Sequence, residues 1–125
     1  ALKLMETCYV VAERFSSADF FHGPQAIVER RFPVVLFAPA GVTERGNVEL
    51  LQRLKELHAD CLSITNSKVI AAVSPHNLFF SEQIDEELTP IPFVIPAQLF
   101  AACLSEAKGL DPDAPRSLTK VTQTI

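Results

Sequence analysis

Glycine is scarce in this chain. Only four occur in 125 residues, and none stands in a G-x-x-x-x-G-K-[ST] or comparable setting, which excludes a glycine-rich phosphate cradle. Cysteine is nearly as rare. Cys8, Cys61 and Cys103 are odd in number, widely spaced and set among apolar neighbours, so neither a disulfide framework nor a zinc site is expected. They read as buried thiols of a reducing compartment, and no metal or cofactor is expected. Lysine and arginine never form a run and the net charge is -4, which argues against nucleic acid or an anionic membrane as partner. An anionic substrate would need cations placed locally. No apolar run approaches the roughly eighteen residues that span a bilayer, and the start lacks a signal-peptide layout, so a cytoplasmic location is the expectation. Internal repeats and low-complexity segments are absent too.

What is present suits one globular domain with a sizeable core, 48% of the residues being hydrophobic and 21% charged. From Ala1 to Arg14 the apolar residues Leu2, Leu4, Met5, Tyr9, Val10, Val11 and Ala12 wrap most of a helix, the pattern of a helix buried on both sides. The chain starts inside this pattern without a cap residue, so an upstream segment is expected to be missing. Ser16 and Ser17 can cap a short helix that Gly23-Pro24 breaks, and the pattern resumes from Gln25 to Glu29. Arg30 and Arg31 read as a solvated charge pair. Val34 to Ala38 is an all-apolar run of the kind found in strands buried on both faces of a parallel sheet.

Between Thr43 and Asp60, Val48, Leu51, Leu54 and Leu57, with Leu50 beside them, mark a one-sided helix. Cys61 to Thr65 is the next strand, which completes a βαβ unit. Lys68 to Val73 reads as a short helix and Asn77 to Ser81 as a third strand, followed by an acidic surface connection from Glu82 to Leu88. Thr89-Pro90 caps a long helix that ends at Gly109, with Pro96 either kinking it or sitting in its first turn. Residues 111-125 look like an extended tail. Ser63, Thr65, Asn66 and Ser67 could bind an anion after their strand, although a polar turn is the simpler reading.

Two stretches stand out for chemistry. Ala1-Leu2-Lys3-Leu4-Met5-Glu6 is followed by His22-Gly23-Pro24, and the chain closes with Gly109-Leu110-Asp111-Pro112-Asp113-Ala114-Pro115-Arg116-Ser117-Leu118-Thr119-Lys120. On spacing alone, Lys3 and Glu6 are an ordinary i,i+3 helix pair and His22 is one loop histidine among three, with His58 and His76. The combination A-L-K-L-x-E, H-G-P and G-x-x-x-D-x-P-R-x-L-x-K, however, resembles the second sugar isomerase (SIS) domain of the isomerising glutamine:fructose-6-phosphate aminotransferases and of related phosphosugar isomerases and deaminases. Phe21 departs from the lysine common before H-G-P in the aminotransferases, and the ending K-V-T-Q-T-I departs as well.

The resemblance implies an α/β fold, a three-layer αβα sandwich with a mostly parallel, doubly wound, flavodoxin-like sheet. Its first strand would lie upstream of Ala1. Residues 1-125 would be the C-terminal SIS domain, truncated at its N-terminus, with a catalytic tail at 111-125. It further implies an enzyme of amino sugar metabolism acting on fructose 6-phosphate and glucosamine 6-phosphate. Glu6 would move a proton between C1 and C2, His22 would open the ring, Lys120 would form a Schiff base with the ketose, and Lys3 would assist Glu6. Each residue type suits its step: a carboxylate and an imidazole exchange protons near neutral pH, and an amine adds to a carbonyl.

The implied partners are the sugar phosphate, a preceding SIS domain that grips the phosphate, and a second subunit of a homodimer that supplies the histidine. The 125 residues alone would then be inactive. Two other readings share these residues: a two-domain glucosamine-6-phosphate deaminase, and a non-catalytic phosphosugar-binding regulatory module. The first cannot be told apart by the site residues. The second has no need of a proton-transfer carboxylate.

Overall fold

A computed structural model describes residues 1-116 of the chain. It divides into two compact units, one formed by Ala1–Arg14 with the segment from Ala97 onward, the other by Phe15–Pro96.

In the larger unit, three parallel strands, β1 (Pro33–Phe37), β2 (Asp60–Thr65) and β3 (His76–Phe79), form a sheet in the order β1-β2-β3. Pro33 pairs with Asp60 and Phe37 with Ile64; on the other side of β2, Leu62 pairs with His76 and Thr65 with Phe79. Parallel neighbours require crossover connections, and helices α3 (Glu44–Glu56) and α4 (Lys68–Val73) supply them and pack on each other. Helix α3 turns Asn47, Leu50, Leu51 and Leu54 inward, the expected one-sided stripe. These leucines meet Val28, Leu36, Ala38, Cys61 and Ile70 in one core. Each buried leucine contributes about 2 kcal/mol by leaving water.

Strand β1 differs from expectation. Its run of apolar residues suggested burial on both faces, yet only Leu36 is fully buried and Phe37 is 46% exposed. The physical reason is its place at the edge of the sheet, where among the described residues it pairs with β2 alone.

Short helix α2 (Ser17–Phe21) begins as expected at Ser16, whose hydroxyl accepts the Asp19 N–H, and a 3-10 turn over Pro24–Ile27 follows Gly23. Helix α4 starts on Ser67, which accepts the Ile70 N–H. Ser63 and Thr65 lie within β2 and Asn66-Ser67 alone turn the chain into α4: the Thr65 hydroxyl donates to the Ala38 carbonyl, Asn66 Oδ1 accepts the Ala40 N–H, and the Ser67 N–H donates to Thr65 Oγ1. Among these side chains the buried Asn66 Nδ2 alone finds no hydrogen-bond partner among the described residues.

In the smaller unit, helix α1 covers Leu2–Cys8 and stops six residues before the expected end. Tyr9 takes a left-handed conformation (φ 54°) and turns the chain. The carbonyls that a helix leaves unpaired at its C-terminus are taken instead by side chains at and just past the end of the long helix α5 (Pro90–Ala107): the Ser105 hydroxyl donates to the Thr7 carbonyl and the Lys108 ammonium to the Cys8 carbonyl. The Cys8 thiol donates to the Ala101 carbonyl. Only Thr7 and Cys8 of α1 are buried, while Leu2 and Met5 are exposed, so the helix is covered at one end and not on both sides.

Helix α5 keeps Pro96 in its interior and ends as expected at Gly109 (φ 69°). The Leu110 N–H reaches back to Ser105 and the Gly109 N–H to Glu106, the paired bonds of a glycine-terminated helix. With the turn leading into it, the segment Glu86–Ala107 is long and apolar enough to cross a bilayer by length and composition, although no run of that kind was evident in the bare sequence. Burial of the thiols also needs one correction. Cys8 and Cys61 are buried, but Cys103 is exposed.

Candidate functional site

The first turn of α1 places Lys3 and Glu6 on one face, and the Lys3 ammonium donates to the Glu6 carboxylate at 2.7 Å. The glutamate side chain is only 26% exposed, against 63% for the lysine. The Thr7 hydroxyl donates to the Lys3 carbonyl one turn back, which ties down the backbone between them. An acidic group is thus held half out of water with a cation at contact distance.

Beyond α1, Tyr9 does a second job. Its hydroxyl accepts the Arg116 N–H at 2.7 Å, and the Arg116 guanidinium lies 3.9 Å over its ring. Arg116 belongs to the closing motif, so that motif is joined to the carboxylate helix within one compact unit. Sequence reading missed this anchor, although the arginine inside the motif was its available signal.

His22 belongs to the other unit. It is exposed, forms the C-cap of α2 and donates its backbone N–H to the Asp19 carbonyl. Lys120 lies outside the described residues. Of the four candidates, the structure brings Lys3 and Glu6 together.

Sequence reading also missed the turn after β1. The Glu86 carboxylate accepts the Val42 N–H at 2.6 Å, the Thr43 N–H at 3.2 Å and the Thr43 hydroxyl, and so caps α3 from a distant loop. Gly41 makes this possible, because a Cβ there would fall 2.1 Å from the Glu86 carboxylate oxygen. The Thr43 hydroxyl bond, with the two backbone bonds, holds Glu86 below the usual carboxylate range. A lowered folded-state pKa gives stability that is present above the unfolded value, near 4.3, and fades as pH falls through the folded value. Melting temperatures of the chain and of Glu86→Gln should therefore differ at neutral pH and converge as the pH falls below the usual carboxylate range. A gap that stays constant with pH would contradict this cap.

Among the described residues no group of three His, Cys, Asp or Glu is arranged to hold a metal ion. The Cys61 thiol is pushed up to about 11 by burial, with the Ser63 hydroxyl pulling weakly the other way. It is no nucleophile at neutral pH.

With a parallel sheet, crossover helices and the motif residues in place, the class of protein is defined: the chain belongs to the SIS domain family, whose pattern matches residues 1–104. It is similar to glutamine–fructose-6-phosphate aminotransferase [isomerizing] of Thermococcus kodakarensis, 38% identical over 120 residues, covering 96% of this chain and 20% of the relative. The enzyme of the same name from Escherichia coli is 34% identical over 128 residues, again covering 96% and 20%. The chain thus spans about a fifth of the length of the curated relatives it matches.

Its fold is that of the C-terminal domain of glucosamine-fructose-6-phosphate aminotransferase from Francisella tularensis, with a TM-score of 0.80 and 27% identity, covering 91% of this chain and 32% of that one. The expected flavodoxin-like α/β class is the one found. The apolar helix α5 falls almost entirely within the matched SIS segment. Only 28% of its apolar stretch is buried among the described residues, with Ile91, Ile95 and Leu99 exposed.

Proposed function

We propose that this chain is the C-terminal isomerase domain of a glutamine:fructose-6-phosphate aminotransferase-like enzyme, interconverting the ketose and aldose forms of a hexose 6-phosphate. The observation that carries the reading is the geometry of the smaller unit. Glu6 is held by Lys3, and Arg116 of the closing motif rests on Tyr9, the residue that ends the helix bearing the carboxylate.

In this reading Glu6 takes the proton from C1 or C2 and returns it to the other carbon, and Lys3 positions the carboxylate and balances its charge. Lys120 adds its amine to the open-chain ketone; water leaves, and the resulting iminium makes the neighbouring C–H acidic enough for Glu6 to act on it. His22 shuttles the proton between ring oxygen and anomeric hydroxyl that ring opening requires. A preceding SIS domain grips the phosphate, and a homodimer brings in the histidine of a second subunit. Residues 111-125 form the catalytic tail. The relatives' names and the shared fold support the reaction class; the residue roles rest on the motif match.

The test uses the full-length enzyme. Lys120→Arg should abolish the adduct that borohydride traps with a ketose phosphate, since a guanidinium does not add to a ketone. Mass spectrometry of the digested protein reads the result. A trapped adduct of undiminished yield would remove the Schiff base from Lys120 and with it this mechanism.

A further inference from the structure

We propose that the amino-terminal end of the sheet is a second ligand site, shaped to hold the phosphoryl group of a small phosphorylated metabolite. A cavity of about 520 Å³ opens there, within the larger unit. Its walls come from residues at the entry to the three strands: Arg30 and Arg31 before β1, His58 and Asp60 at the start of β2, and Pro75 before β3. Lys55 joins them from the last turn of α3.

Charge is the first argument. Arg30, Arg31, Lys55 and His58 share one opening in a chain whose net charge is -4. A single carboxylate lines the same opening, Asp60, and it stands 3.6 Å from Arg31. Among the described residues, Arg30, Lys55 and His58 have no carboxylate within ion-pair distance. The negative end of α3 accounts for Lys55. It does not account for Arg30, Arg31 and His58 lining the same opening.

Backbone geometry is the second. Arg31 (φ 65°) is left-handed, a conformation few non-glycine residues adopt, whereas His58 (φ 56°) holds the left-handed position that ends α3, its N–H on the Lys55 carbonyl and the Ala59 N–H on the Leu54 carbonyl. The Arg31 N–H donates to the His58 carbonyl at 2.7 Å, and the Asp60 N–H to the Phe32 carbonyl at 2.9 Å. The left-handed turn at Arg31 and the end of α3 are thereby locked together, with their cations on one opening. Leu51, Ala59 and Val73 add an apolar surface for the carbon part of a ligand, and the volume falls in the range of roughly 300–1,000 Å³ typical of small-molecule sites.

Location is the third. Open α/β sheets bind their substrates outside the carboxyl ends of the strands. This cavity lies at the opposite ends, so its occupant is not the substrate in turnover. Cys61 also lines it but is a protonated thiol, which suits binding without chemistry.

Phosphoryl groups reach a protein on sugars or on nucleotides, and the test separates them. The ¹⁵N-labelled chain is titrated in turn with inorganic phosphate, glucose 6-phosphate and adenosine monophosphate, following the backbone amides. Saturable shifts are expected at residues 30-31 and 58-61, and the tighter of the two organic probes identifies the source. The exposed pair Arg30→Gln with Lys55→Gln should weaken binding about tenfold with an unchanged melting temperature. Amides unmoved by all three probes, or equal affinity in the double variant, would overturn the proposal.

Discussion

Replacing Glu6 by glutamine in the full-length enzyme is expected to slow C1–C2 proton exchange by about 10²–10⁴-fold, the usual contribution of a positioned proton-transfer group. Glutamine keeps the shape of the side chain and can still accept the Lys3 hydrogen bond that now measures 2.7 Å. It cannot take a proton. The fold should survive the change, because an i,i+3 pair whose lysine is 63% exposed contributes only a few tenths of a kcal/mol. The measurement is loss of deuterium from labelled hexose phosphate into water, with a melting curve as control. Undiminished exchange would take Glu6 out of the reaction, whatever happened to stability.

The largest effect on stability is expected at Leu54, which is 1% exposed and sits where α3 meets the core of the larger unit. Leu54→Ala removes buried surface and leaves a cavity that the sheet cannot fill, a loss of about 2–5 kcal/mol. That is a large part of the roughly 5–15 kcal/mol by which a domain is stable. The melting temperature should fall by about 10 °C or more. Val42, 94% exposed, is the comparison, and Val42→Ala should stay within about 0.5 kcal/mol. Equal shifts for the two variants would mean that the leucine stripe of α3 is not the core.

Much of the fold was legible because its signals are local. The stripe of α3, the serine cap of α2, the span Lys68–Val73 and the glycine that ends α5 each depend on a few consecutive residues. The three strands appeared within a residue or two of their observed bounds. Helix α1 was read too long because its apolar pattern continues through Ala12, whereas its end is decided by Ser105 and Lys108 almost a hundred positions away. Strand β1 was read as fully buried because composition reports affinity for a core, and an edge position leaves that affinity unmet.

The site divides in the same way. Lys3 and Glu6 were legible as a pair because three residues of helix bring two side chains together wherever the helix lies. Arg116 on Tyr9, Glu86 on the turn at Thr43, and Arg30, Arg31 and His58 around one opening were not. Arg30 and Arg31 are the solvated pair that the sequence suggested, and what the register of β1 on β2 added is their place beside His58 at one opening.

Alone, the order of residues determined which segments become helix or strand, where most of them stop, and the motifs that place the chain in the SIS family. Those properties follow from neighbours along the backbone and need no distant partner. Tertiary structure decided which charges stand alone, which thiols are covered and which carbonyls are capped. Each of these depends on what lies across space from a residue, and chain folding sets that distance independently of separation in sequence.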